Sequence, residues 1–324
     1  MTEQKSLLEI ENLKKYYLIQ RSIDPKKRKY LKAVDGISLT VHENETVGLV
    51  GESGCGKSTL GRSVLNLHEI TDGKIRFQGQ EIQSLKKEEM RFLRQKMQMI
   101  FQDPYASLNP RMTIAELIGA PLKVYEIGNA TEQNQRVHEI MDLVGLGDRF
   151  WDSYPHEMSG GQRQRVVIAR AMILNPNFVV CDEPVSALDV SVRAQVLNLM
   201  LDMKEKTKLS YLFISHDLSV VRYFCDSIAV MYLGKIVEMG AKQEIFDHPL
   251  HPYTRALMSA IPIPDVTTKR ERILLKGDVP SPVNPPRGCP FHTRCPYSKE
   301  KCMEEVPQLK EYSTGHKAAC FMEF

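Results

Sequence analysis

The chain has 324 residues, 42% apolar and 26% charged, with a formal net charge of +3. Such a composition excludes collagen, mucin-like stalks and wholly disordered tails, and the length allows one large domain with an appendage, or two domains. The near-balanced charge offers no general attraction to nucleic acid, and the basic run Lys26-Lys27-Arg28-Lys29 reads as a solvated face.

At the start, Met1–Ile10 has acidic and amide residues where a secretory signal needs a basic start and an apolar run, so export is not expected. No later stretch approaches the roughly 20 apolar residues of a membrane-spanning helix. The first chemistry-bearing passage joins a β-rich run, Glu45–Val50, to a helical pattern, Lys57–Leu67, through Gly51-Glu52-Ser53-Gly54-Cys55-Gly56-Lys57-Ser58-Thr59. Glycines at 51, 54 and 56 let backbone N–H groups curl onto phosphate oxygens, and the new helix aims its positive end at the same place. Lys57 then neutralises β- and γ-phosphate charge, Ser58 supplies a hydroxyl to Mg²⁺, and Thr59 donates to a neighbouring phosphate oxygen. Asp72-Gly73, between Ile70 and Ile75, reads as a turn in an antiparallel stretch.

A nucleotide site also needs a metal-holding carboxylate at the end of a nearby strand. Asn177–Cys181 reads as a buried parallel strand that delivers Asp182 at its carboxyl end, and Glu183 beside it is placed to polarise an attacking water. The following helix, Ser191–Lys206, carries Val192, Val196, Leu199, Met200 and Met203 on one face, as core rather than as a cofactor box. Alternation of short strands with helices predicts an α/β fold, and the antiparallel stretch around Asp72-Gly73 a smaller β region beside its sheet.

Composition shifts near residue 260. Pro262 and Pro264 begin the change, Pro280, Pro282, Pro285 and Pro286 continue it, and residues 261–324 read as a small extension to a domain covering 1–260. Seven cysteines, with Cys55, Cys181 and Cys225 far apart, fit a reducing compartment better than a disulfide framework. The other four, Cys289, Cys295, Cys302 and Cys320, crowd into the extension as candidate ligands of a soft metal or cluster. Their spacing differs from the paired Cys-x-x-Cys units of a zinc ribbon, and His292 and His316 are alternative donors. Unligated thiols are the remaining reading.

Met158-Ser159-Gly160-Gly161-Gln162-Arg163-Gln164-Arg165-Val166, opening a helix, resembles the signature motif of ABC ATPases, with Met158 where leucine is usual. Once this resemblance is in view, other positions fit in order. Gln102, after Met97–Phe101, is similar to the Q-loop glutamine that senses Mg²⁺ and water. Ser186-Ala187-Leu188-Asp189 resembles the D-loop at the dimer interface, and His216, after Tyr211–Ser215, resembles the switch histidine. Tyr17 fits the aromatic that stacks on adenine, with Tyr16 its competitor.

The resemblance covers residues 7–250. It implies a P-loop ABC-type nucleotide-binding domain with a mixed sheet and a helical signature subdomain, using ATP and Mg²⁺, in which the Ser159–Gln162 element of one subunit meets the nucleotide of a second. His251-Pro252-Tyr253-Thr254 and Gly288–Pro296 resemble the C-terminal region of ATPase subunits of dipeptide and oligopeptide importers. That membership implies location at the cytoplasmic face of the membrane, two permease subunits and an extracytoplasmic peptide-binding protein. It also implies a similar partner ATPase, in a heterodimer or alternatively a homodimer, and a [4Fe–4S] cluster on the four cysteines, with zinc the alternative. Importers of nickel and other small solutes share this broad group; non-transport ABC ATPases are the more distant alternative.

Overall fold

The computed structural model describes residues 5–21, 23–24, 28–261 and 272–322. Lys26 and Lys27 of the basic run, and Pro262 and Pro264 at the composition shift, lie outside the described residues. Twelve strands are found among those described: β1 (Ser6–Gln20), β2 (Lys29–His42), β3 (Thr46–Val50), β4 (Asp72–Phe77), β5 (Gln80–Glu81), β6 (Met97–Ile100), β7 (Phe178–Asp182), β8 (Ser210–Ile214), β9 (Ser227–Tyr232), β10 (Lys235–Ala241), β11 (Lys310–Ser313) and β12 (His316–Ala318). The chain divides into two compact units, Met1–Gln83 with Ser215–Phe324, and Ser84–Ile214.

In the first unit, β2, β1, β4 and β5 form an antiparallel sheet in that order. Its long strands alternate as a half-buried sheet requires: Ile37, Leu39 and Val41 are buried, while Ser38 and Thr40 face outward. A second group of strands is mixed. β3 runs parallel to β9, β9 pairs antiparallel with β10, and β10 receives β12 and then β11 from the C-terminal segment. β3 is buried at all five residues, as a strand covered on both faces must be. The helix Leu218–Phe224 covers β3 so closely that a Cβ at Gly48 would stand 2.9 Å from Val221 and 2.8 Å from the sulfur of Cys225.

The Asp72-Gly73 turn is corrected by the structure. Both residues belong to β4, paired with β1, and the reversal comes at Gln78 and Gly79, both with positive φ, between β4 and β5. Gly73 is there for proximity: a Cβ would lie 2.6 Å from the carbonyl oxygen of Asn12 and 2.7 Å from that of Glu11. The sequence signal of a turn and of a close backbone approach is the same glycine.

The second unit is built on a parallel trio, β6, β7 and β8, paired in that order, with β7 and β8 wholly buried. Around it the helix Gly160–Met172 packs against Ile114–Val124, Ala130–Leu143 and Val190–Thr207. Ile114–Val124 and Ala130–Leu143 begin with reciprocal caps, Thr113 with Glu116 and Asn129 with Glu132. Val190–Thr207 is one residue longer at each end than the sequence pattern. Its core face uses Val196, Met200 and Met203 as expected, joined by Leu197, while Val192 and Leu199 are half-buried. No described helix is long and apolar enough to cross a membrane.

Candidate functional site

In the first unit β3 runs directly into the loop 51–56 and then the helix Lys57–Val64. The crown of the loop, Ser53 and Gly54, is exposed; Gly51, Cys55 and Lys57 are buried. The helix starts on Gly56 in the left-handed region with no side-chain cap. Every other helix start named above is capped by a side chain, so this one keeps its positive end for something else. Lys57, 5% exposed, folds back over the loop and donates from Nζ to the carbonyls of Gly51 at 2.7 Å and Glu52 at 3.0 Å. A curled loop, an uncapped helix start and an ammonium held at its centre make a cradle for phosphate oxygens.

Gly56 is fixed by geometry as well as by function. Its φ is +105°, and an added Cβ would lie 1.9 Å from the carbonyl oxygen of Ala33. Gly56→Ala is expected to cost about 3 kcal/mol or more, combining left-handed strain with a backbone clash. Urea denaturation of the two proteins measures this; a cost under about 1 kcal/mol means that β2 yields freely.

Also in this unit, Ser215 donates its N–H to the carbonyl of Leu49 at 3.2 Å, which carries exposed His216 to the loop end of β3. Asp217 then caps the next helix by accepting from the N–H groups of Ser219 and Val220. Tyr16 and Tyr17 differ in what they touch. The hydroxyl of Tyr16 donates to Asp35, itself paired with Lys235 at 2.9 Å, and burial raises the phenol pKa. Half-buried Tyr17 meets His68 edge-on at 6.2 Å and has Lys15 over its ring at 4.8 Å.

In the second unit Asp182, 1% exposed, ends β7. Glu183 follows with φ +49°, a left-handed conformation uncommon for glutamate and strained by of order 1 kcal/mol. Three hydrogen bonds hold it: its N–H donates to Ile214, and its carbonyl accepts the N–H and hydroxyl of Ser186. The carboxylate accepts from Nε2 of Gln102 at 3.0 Å, which turns the glutamine's carbonyl oxygen the other way. The donor set named for Mg²⁺ (Ser58, Gln102, Asp182) is all oxygen, the kind that a hard divalent ion takes.

The signature passage forms a reciprocally capped helix start. Ser159 Oγ accepts from Gln162 N–H at 3.3 Å, and Gln162 Oε1 accepts from Ser159 N–H at 2.8 Å. Gly161 is required by packing, since a Cβ there would stand 2.3 Å from Val192. Met158 is buried, in keeping with a leucine-like role. Asp189 caps Val190–Thr207, and its hydrogen bonds from Val192 N–H and the Ser191 hydroxyl hold its carboxyl below the usual range.

The four C-terminal cysteines are free thiols. Cys289 N–H donates to the carbonyl of Cys302 at 2.8 Å. Burial pushes the Cys289 thiol up to about 11, with Cys302, Cys320 and Cys295 adding to the rise. Burial likewise raises Cys295 and Cys320. Even so, among the described residues no three His, Cys, Asp or Glu side chains are gathered to hold a metal ion, so the expected cage is not assembled here. The alternative donors have other partners. His292 Nδ1 lies 2.8 Å from the carbonyl of Cys289, and buried His316 lies 2.8 Å from Glu238.

Sequence reasoning missed two groups. Buried Glu238 accepts from the N–H groups of Leu250 and His251 and pairs with His316, joining three segments. Arg294 forks onto Glu52 at 2.7 and 3.1 Å. Both are isolated charges in sequence, with no spacing pattern to announce them.

Residues 34–186 match the ABC transporter family, and residues 237–302 match the C-terminal region of oligopeptide/dipeptide transporters. The chain is 51% identical over 322 residues to the oligopeptide transport ATP-binding protein AppF of Bacillus subtilis, covering 98% of each. It is 48% identical over 319 residues to the dipeptide transport ATP-binding protein DppF of Haemophilus influenzae, covering 98% of this chain and 97% of that one. Among solved structures, an ATP-binding cassette dimer in a post-hydrolysis state with ADP and Pi aligns with a TM-score of 0.65 and 27% identity, over 73% of this chain and 99% of the other. A curled loop with its buried lysine, a strand-end Asp-Glu pair and full-length identity of about half converge: the chain belongs to the ABC transporter ATP-binding proteins, in their oligopeptide/dipeptide branch.

Proposed function

We propose that this protein is the ATP-hydrolysing subunit that powers import of di- and oligopeptides through a membrane permease. The observation that carries the reading is the match of residues 237–302 to the oligopeptide/dipeptide C-terminal region, on a chain whose relatives across its full length are named for that transport.

The proposed residue roles are those that the resemblance to ABC ATPases implies, together with the chemistry of the side chains. The loop Gly51–Thr59 binds the phosphates through its N–H groups and Lys57, while Tyr17 stacks on the adenine; its rival Tyr16 has its hydroxyl committed to Asp35. Ser58, Gln102 and Asp182 would hold Mg²⁺, which when bound would supply neutralisation of phosphate charge. Glu183 accepts a proton from the attacking water, Gln102 orients that carboxylate, and His216 steadies the γ-phosphate oxygens. One motif set per chain means that Ser159, Gly160, Gly161, Gln162 and Asp189 serve the nucleotide of a facing subunit. ATP then favours the closed pair, and hydrolysis reopens it. Shifting such an equilibrium from 1:99 to 99:1 takes about 5.5 kcal/mol of differential binding.

The pair is a heterodimer with a similar ATPase, set against two permease subunits at the cytoplasmic face and served by an extracytoplasmic peptide-binding protein. Residues 1–260 form the ATPase domain and 261–324 its extension. An iron–sulfur cluster on Cys289, Cys295, Cys302 and Cys320 has the support of the donor set alone. Close to four irons per purified chain supports it, and iron-free protein with full activity removes it.

Phosphate release in membranes containing the permeases, compared with the chain alone, tests the transport reading. We expect release to rise when permease and a peptide-loaded binding protein are present. Equal release with and without them contradicts coupling.

A further inference from the structure

Glu52 is an odd residue for a phosphate cradle, because its carboxylate adds a negative charge to a loop meant for a polyanion. The structure shows what offsets it. Arg294, from the C-terminal segment between Cys289 and Cys295, donates from Nη1 to Glu52 Oε2 at 2.7 Å and from Nη2 to Oε1 at 3.1 Å. The guanidinium is 8% exposed and the carboxylate 28%. The main chain of Glu52 is engaged as well: its N–H donates to the Tyr253 hydroxyl at 2.8 Å, and its carbonyl accepts from Lys57 Nζ at 3.0 Å. One loop residue is thus tied to the phosphate-loop lysine, to the helix Pro252–Ser259 and to the C-terminal segment.

Both outside partners are anchored in one aromatic cluster. Phe291, 1% exposed, has its ring centroid 5.4 Å from Tyr253 and 5.3 Å from Tyr232, and its carbonyl accepts the N–H of Arg294 at 3.0 Å. Packing of Phe291 therefore sets the position from which Arg294 reaches the loop.

We infer that Arg294 is a positioning residue for nucleotide binding: it neutralises Glu52 and fixes the backbone turn that presents the loop to phosphate, so the C-terminal segment completes the phosphate site. This rests on the reading of Gly51–Thr59 as the nucleotide's phosphate loop. Without the guanidinium, the carboxylate stands as an uncompensated like charge near the bound phosphates, a repulsion that is long-range and screened by salt. The groups that act on the attacking water are untouched, so the deficit belongs in affinity and KM for ATP and leaves kcat nearly unchanged.

The test is titration of the full chain with Mg²⁺-ATP, with steady-state ATPase rates beside it. R294Q keeps a polar amide at this position, but it lacks the Nη atoms that make the fork onto Glu52 and carries no charge. It should bind about tenfold more weakly at low salt, with a deficit that shrinks at about 0.5 M salt. R294K restores the charge without the two-pronged fork and should recover part of the affinity, with the salt dependence reduced. Adding E52Q to R294Q removes the exposed anion and should tighten binding about fivefold over R294Q alone. Parent-like binding by R294Q, or a double variant as weak as R294Q, overturns the inference while the parent still binds ATP. A parent chain that does not bind Mg²⁺-ATP overturns the phosphate-loop reading itself.

Discussion

Glu183→Gln is expected to bind ATP as the parent does, to lose hydrolysis by a factor of about 10²–10⁴, and to accumulate as an ATP-bound dimer. The substitution is close to a pure removal of basicity. A glutamine at 183 keeps an oxygen that accepts from Gln102 Nε2, and the main-chain bonds to Ile214 and Ser186 do not involve the side chain. The left-handed φ of +49° is therefore still held by its surroundings, and the group is still aimed. What it lacks is a lone pair basic enough to accept a proton from water as the water attacks. Because ATP favours closure and only its cleavage reopens the pair, a chain that binds without cleaving is trapped closed. Size-exclusion chromatography with Mg²⁺-ATP, together with a phosphate-release assay, reads both halves. Near-normal phosphate release removes Glu183 from the catalytic role.

Much of this site was legible in the sequence because its chemistry is local. The phosphate loop is nine consecutive residues, and its strand-before, helix-after context is the physical requirement for an anion cradle. Asp182 could be placed because four apolar residues, 178–181, run straight into it, so a buried strand delivers it at its carboxyl end. The capped start at Ser159 was readable too, although its requirement for Gly161 comes from Val192, 31 residues further along and unseen in the pattern. Non-local features stayed hidden. The positive φ of Glu183 has no sequence mark, since glutamate is not a residue chosen for that conformation. The pairing of Arg294 with Glu52 links positions 242 residues apart, and the buried Glu238 joins β10, the residues before Pro252 and β12. Asp72-Gly73 misled because a glycine needed for backbone approach reads like a glycine needed for a turn. The spacing of the cysteines named a donor set but carried no information on where four side chains would point.

Lys57→Ala is expected to abolish nucleotide binding at concentrations that saturate the parent. Two losses add. The bound phosphates lose charge-assisted hydrogen bonds, each worth about 1.5–3 kcal/mol, from an ammonium whose position the loop has already fixed. The loop loses its central tie, because the carbonyls of Gly51 and Glu52 both accept from Lys57 Nζ and the side chain is 5% exposed. A site of millimolar to micromolar affinity is worth about 4–8 kcal/mol, so losing two such bonds, about 3–6 kcal/mol, weakens it by two orders of magnitude or more. The second makes it necessary to separate affinity from folding, and thermal unfolding with and without Mg²⁺-ATP does so within one sample. A ligand that binds only the folded chain stabilises it by about 2.7 kcal/mol at a hundredfold excess over Kd, so the parent's midpoint rises with ATP. In the variant the ligand-free midpoint is expected to fall modestly, and the ATP-dependent rise to vanish. A variant that unfolds earlier yet keeps the full ATP-dependent rise would mean that Lys57 braces the loop without touching phosphate.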